Sequence, residues 1–154
     1  MKRKKKGLLV ILGILSFAGI WMGIWYVGVF SKYDVYVENI EKVPPGVYLF
    51  TDEDGYAYSV KKPAIFSQTG NLAIVSDTDM PTVIVWPLLN GDYEYGLQLQ
   101  DENQQYFEVM VDEEFNFIPE KNQGLNEEMY IEIKEANKEE LEKLHKKLNE
   151  FWQL

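Results

Sequence analysis

The chain has 154 residues, no cysteine, one histidine and a net charge of −10. Its only arginine is Arg3, and all 25 acidic residues follow Phe30, so the part after Phe30 is far more anionic than the whole. That charge excludes the basic footprint of a nucleic-acid binder, and the missing arginine removes the usual bidentate clamp for phosphate.

The first 30 residues divide sharply. Lys2, Arg3, Lys4, Lys5 and Lys6 form a basic leader, 1–6, ahead of the uncharged stretch Gly7–Phe30. About 20 helical residues cross a bilayer core, so 7–30 is long enough to be a transmembrane helix. Ser16-Phe17-Ala18 resembles a signal-peptide cleavage site. Cutting there would leave the apolar Gly19–Phe30 in water, so an uncleaved signal anchor is the better reading. Basic residues before the span and only Lys32 just after it predict a single pass with the N-terminus in the cytoplasm. The cell membrane is the expected location, with the C-terminal part outside the cytoplasm. Trp21, Trp25 and Tyr26 then fall at the outer interface, where aromatic rings collect. Gly19 and Gly23 form a GxxxG pair that allows a homodimer through this helix, although glycine is common in spans for no special reason.

Residues 31–154 are the size of one domain. No disulfide staples it, and no Asn-x-Ser/Thr site occurs, as suits a bacterial cell exterior. Tyr33-Asp34-Val35-Tyr36-Val37 alternates like a strand and leaves almost no spacer, so the domain should sit on the membrane surface. Val43-Pro44-Pro45-Gly46 breaks the chain. Val47–Phe50 and Tyr56–Val60 read as a hairpin around Asp52-Glu53-Asp54-Gly55. Leu72–Val75 and Thr82–Trp86 follow as strands, the second an interior one because Val83, Ile84 and Val85 are unbroken. After Asn90-Gly91, alternating strands are expected over Tyr93–Leu99 and Tyr106–Val111, then Glu114–Ile118 and Met129–Ile133. Leu141, Leu144, Leu148, Phe151 and Trp152 recur at helical spacing over 138–153, with Asn137 and Glu140 placed as a capping box. No internal repeat stands out. The pattern predicts an α+β protein: one transmembrane helix, a mainly antiparallel sheet of about six to eight strands, and a covering C-terminal helix.

Catalytic signals are sparse. There is no cysteine nucleophile, zinc-ligand spacing, nucleophile elbow or phosphate-cradling loop, and nothing calls for a cofactor or a metal. His145 sits at the edge of the apolar helix stripe, placed to pack against Trp152. An EF-hand with Gly55 at its sixth position would begin at Phe50 and end at Lys61, which cannot ligate calcium as required. Asp52 with Asp54, or Asp77 with Asp79, leaves only a looser cation site against a plain solvated turn. Asp92 and Glu94 share a strand face and could act as paired carboxylates, although their alternation reads as solvated. Tyr56 with Tyr58, and Tyr93 with Tyr95, also share faces. With Asp92 and Glu94 they form the candidate protein-binding face, unless they are core packing.

The expected function is non-enzymatic: a membrane-anchored, extracytoplasmic module that binds one basic-surfaced protein stoichiometrically near the membrane. An immunity protein masking an exported toxin is one concrete version. The alternatives are an accessory subunit of a membrane assembly and a carboxylate-dependent hydrolase of the cell envelope.

Overall fold

The computed structural model describes residues 2–38, 40–43, 46–65, 67–78 and 80–154, the side chains of 2–6, 8 and 9 excepted. The Pro44-Pro45 break, Asp79 and the leader's side chains lie outside the described residues. Helix α1 covers Lys2–Gly28. Val10–Val37 carries an 18-residue window of mean hydropathy 2.0, and none of that window is buried. From Val10 to Ile24 the helix is uncharged and exposed on every side, and it is long and apolar enough to span a membrane.

The alternation at Tyr33–Val37 does not form a strand. Two 3-10 turns, Phe30–Tyr33 and Val35–Val37, fold the chain back onto the domain. Tyr33 is buried, and its hydroxyl accepts the Gly70 N–H at 2.7 Å and pairs with Thr69 Oγ1 at 3.0 Å. Trp152 Nε1 donates to the Tyr36 carbonyl at 3.3 Å. Tertiary packing overrides the local strand preference here.

The sheet is a seven-stranded antiparallel meander in chain order: β1 Glu41–Val43, β2 Val47–Thr51, β3 Ala57–Lys61, β4 Asn71–Val75, β5 Thr82–Pro87, β6 Tyr93–Gln100 and β7 Tyr106–Val111. It is open, and helices α2 (Glu127–Ala136) and α3 (Lys138–Trp152) complete an α+β fold. Alternation puts two apolar rows on the inner face. Tyr58, Ile74, Val83, Leu97 and Val109 lie side by side across five strands, as do Val60, Leu72, Val85, Tyr95 and Val111. Tyr130 and Ile133 from α2, and Leu141, Leu144, Leu148 and Trp152 from α3, close over them. Each fully buried aliphatic side chain contributes roughly 1.5–3 kcal/mol.

Two expected strands are corrected. Met129–Ile133 belongs to α2: Asn126 Oδ1 accepts the Met129 N–H at 2.8 Å as an N-cap, and Tyr130 and Ile133 are the buried pair. A strand would have buried Met129 and Ile131, which are exposed. Glu114–Ile118 supplies only an isolated bridge, Val111 to Phe117. Asn137 stands at the N-cap of α3, where its carbonyl accepts the Leu141 N–H at 2.9 Å, but its side chain makes no capping bond there. Its amide donates to the Ile133 and Gln100 carbonyls at 2.8 and 3.1 Å, tying the end of α2 to β6.

One turn geometry recurs in four connections: Asp52–Tyr56, Leu88–Asp92, Asp101–Gln105 and Asp112–Asn116. In each, the first N–H donates to the fifth carbonyl and the fourth N–H to the first carbonyl. The fourth residue is left-handed: Gly55, Gly91, Gln104 and Phe115. In three of them the leading aspartate accepts the third and fifth N–H groups on Oδ1. Gln104 is exposed at φ 64°, so Gln104→Gly should raise stability by about 0.5 kcal/mol, the relief of left-handed strain exceeding the unfolded-state entropy of glycine. A urea midpoint measures it. Phe115 has the same backbone but is buried against His145, so Phe115→Gly should lower that midpoint.

Candidate functional site

The outer face of the sheet carries the most distinctive surface. Pairing aligns Glu41, Leu49, Ser59, Ala73, Ile84, Gly96 and Met110 in one row across all seven strands. The neighbouring row runs Thr51, Ala57, Val75, Thr82, Gln98 and Glu108. Both helices pack on the opposite face, and among the described residues no helix covers this one. Antiparallel sheets usually turn polar side chains to solvent. Here the middle is Ala73, Val75, Ile84, Trp86 and Met110, none of them charged. Trp86 reaches over Gly96, where a Cβ would come within 2.8 Å of its ring. Carboxylates of Glu41, Glu94 and Glu108 border the patch, and Leu49 is 43% exposed at one side.

The tyrosines expected to form a binding face lie elsewhere. Tyr56, Tyr58 and Tyr95 are buried on the inner face, so they do not offer an exposed surface. Tyr93 is half-buried, with its hydroxyl 3.0 Å from that of Tyr36. Asp92 is exposed in the turn before β6, where it accepts from Asn90 Nδ2 at 2.6 Å. Glu94 accepts from Lys121 Nζ at 2.7 Å on the outer face. Both carboxylates are solvated and partnered, and neither sits in the desolvated pocket a glycosidase acid requires.

The Asp52 turn is an ion-pair junction. Asp52 Oδ2 accepts from Lys147 Nζ at 2.7 Å and from the Tyr58 hydroxyl at 3.1 Å, and Lys147 also reaches Asp54 at 2.8 Å. The group a cation would have needed is thus engaged by a lysine. Among the described residues no cluster of three or more His, Asp or Glu side chains could hold a metal ion. His145 packs against Phe115, with ring centroids 4.8 Å apart.

Tyr56 donates to Glu140 Oε1 at 2.6 Å. Burial, then the hydrogen bond to a carboxylate, pushes the phenols of Tyr56 and Tyr58 from 10.0 up to about 12. A proton held more tightly when folded stabilises below the unfolded pKa, and that contribution fades as pH rises through the folded one. Stability should therefore fall between about pH 10 and 12, as tyrosinate absorbance rises. Tyr58→Phe should flatten part of the slope.

The anchor residues are differently placed. Gly19 and Gly23 have nothing within 4 Å of a notional Cβ, and Trp21 and Tyr26 are exposed. Trp25 is half-buried, and its Nε1 donates to the Ser67 carbonyl at 3.0 Å. Lys32 Nζ donates to the Leu89 carbonyl at 3.0 Å. The end of α1 is therefore joined directly to the β3–β4 and β5–β6 connections. No single residue announced this joint in the sequence.

Together these features define an α+β domain with one half-open sheet, led by an apolar helix of membrane-spanning length. No known protein family matches the chain, and no curated protein or solved structure is significantly similar to it.

Proposed function

We propose that this is a membrane-anchored, extracytoplasmic module that binds one protein partner through the outer face of its sheet. The observation that supports it is the uncharged row Leu49–Ser59–Ala73–Ile84–Gly96–Met110, which lies on an open face where solvated side chains are the norm. Rigid strands hold it flat, so a partner loses little freedom in matching it. Glu41 and Glu108 border the apolar centre and favour a partner that sets lysine or arginine opposite them, whereas Glu94, paired with Lys121, and the exposed Lys61 make the Trp86 side of the rim mixed in charge. Masking a basic exported protein is the version that this rim favours.

The test is affinity capture of the intact protein in mild detergent, at low and high salt. Wild type should retain one stoichiometric partner. Ile84→Glu should lose it with an unchanged circular dichroism spectrum, while Glu142→Ala, on the exposed side of α3, should keep it. Equal retention by Ile84→Glu would rule out the outer face.

A further inference from the structure

We propose that the end of the domain joined to α1 is seated in the bilayer interface, with Ile65 and Leu89 in contact with lipid. The proposal rests on α1 spanning the membrane and adds where and how the domain meets it.

At 1.5 Å per residue, about 20 residues cover the hydrocarbon, which places Tyr26 near the far boundary when counted from Gly7. Trp25 is then at the depth where indoles collect. The Ser67 carbonyl, 3.0 Å from its Nε1, must lie at the same depth. Ile65, two residues before Ser67, is 57% exposed on the same connection. One turn beyond the helix, Lys32 holds the Leu89 carbonyl, and the Leu89 side chain is 49% exposed. In a meander, alternate connections turn at the same end of the sheet, so both loops belong to one tip. Two large aliphatic groups in water at that tip have no protein cover. The adjoining membrane surface supplies one.

Charge distribution gives the same orientation. The connections at the opposite end carry Asp52, Glu53, Asp54, Asp77, Asp101 and Glu102 and no lysine. Lys32, Lys61 and Lys62 share the anchored end with Asp34 and Asp92. Lys32 is bound to the Leu89 carbonyl and Lys62 to Asp34, while Lys61 is exposed, so its stem can run along apolar surface and its ammonium group reach phosphates. Lys62 is paired with Asp34 and lies over the Phe30 ring, 4.7 Å from its centroid, so one basic group is fixed at the exit of the helix.

The sequence has no cysteine, so single reporters can be placed without background. Ile65→Cys, Leu89→Cys, Glu102→Cys and Leu15→Cys would each carry a nitrobenzoxadiazole label in the full chain. The protein would be reconstituted in vesicles of phosphatidylcholine and phosphatidylglycerol containing spin-labelled lipid. Labels at 65 and 89 should be quenched by lipid several-fold more than the label at 102 and shielded from aqueous iodide. Quenching at 15 without quenching at 65 and 89 would overturn the seating while leaving the span intact. Absence of quenching at 15 would remove the span, and the seating with it. Labels at 65 and 89 that are shielded from iodide but untouched by lipid quencher would also overturn it, because protein would then be the cover.

Discussion

Asp52→Ala should lower the stability of the domain by about 3 kcal/mol, since it removes the acceptor of one charged and one buried donor together. Asp52 receives four hydrogen bonds: the Asp54 and Tyr56 N–H groups on Oδ1, and the Tyr58 hydroxyl and Lys147 ammonium on Oδ2. Without it, the Tyr58 hydroxyl loses its acceptor beside the Phe151 and Trp152 rings that pack on Tyr58, and Lys147 keeps only the exposed Asp54 as a carboxylate partner. The β2–β3 turn and α3 would then be linked only by Lys147–Asp54, by the Tyr56 hydroxyl on Glu140 and by packing. Asp101 heads the same turn geometry but has no lysine or tyrosine partner, so Asp101→Ala should cost only about 1 kcal/mol. Urea denaturation of the two variants separates the turn's contribution from that of the junction.

The same carboxylate sets a pH dependence. Burial disfavours its charge, but the Lys147 ammonium, the Tyr56 N–H and the Tyr58 hydroxyl outweigh it and hold the carboxyl below its ordinary 3.8. A depressed folded pKa stabilises above the unfolded value and loses that contribution as pH falls. Stability should therefore decline below about pH 4, and Asp52→Asn should flatten the decline while retaining the backbone acceptor. Asp112, held low by the Asn116 N–H and amide against the effect of its burial, adds a slope of the same sign that this variant leaves in place.

The sheet was legible wherever one face is buried, because period-two alternation then leaves a record. β2 to β7 all fall where the pattern of Val, Leu and Tyr puts them. β1 was missed because Glu41-Lys42-Val43 is too short to alternate. Tyr33–Val37 and Met129–Ile133 show the ambiguity of windows of about five residues, in which apolar positions fit a strand or a helical turn equally well. The deciding signals lay outside each window: Gly70 for the first, the Asn126 cap for the second.

The candidate site was legible only as pairs of residues sharing a face. Tyr56 and Tyr58 do share one, but the chain does not state locally which face the helices will cover. Once α3 lies on the tyrosines, the apolar surplus falls on the other side, in residues too small to attract notice singly. Gly96 reads as a wet position of its strand, yet with Ala73 it leaves Ile84, Trp86 and Met110 an uncharged setting.

Gly70→Ala is the second substitution of large expected effect, about 3 kcal/mol, at the upper end of the cost of overpacking. A Cβ there would lie 1.9 Å from the Lys61 carbonyl oxygen and 2.9 Å from the Pro63 nitrogen, both backbone atoms. No rotamer change relieves such a clash. The end of β3 must move away from Asn71, its partner on β4, or the β3–β4 connection must open. The Gly70 N–H also donates to Tyr33, so either movement loosens the segment that follows α1. Tyr33→Phe removes only the hydroxyl and should cost about 1 kcal/mol. Gly91→Ala provides the contrast: its φ is +97° but nothing lies within 4 Å, so only backbone strain of about 1 kcal/mol is added. The expected order of loss in denaturation midpoint is Gly70→Ala, then Gly91→Ala and Tyr33→Phe together. Amide exchange should accelerate across 30–37 in Gly70→Ala and Tyr33→Phe but not in Gly91→Ala. Exchange in that segment unchanged by Gly70→Ala would mean that the turns after α1 hold through their other contacts, Lys32 on Leu89, Tyr36 with Tyr93 and Trp152 on Tyr36, and that the clash is absorbed within the β3–β4 connection.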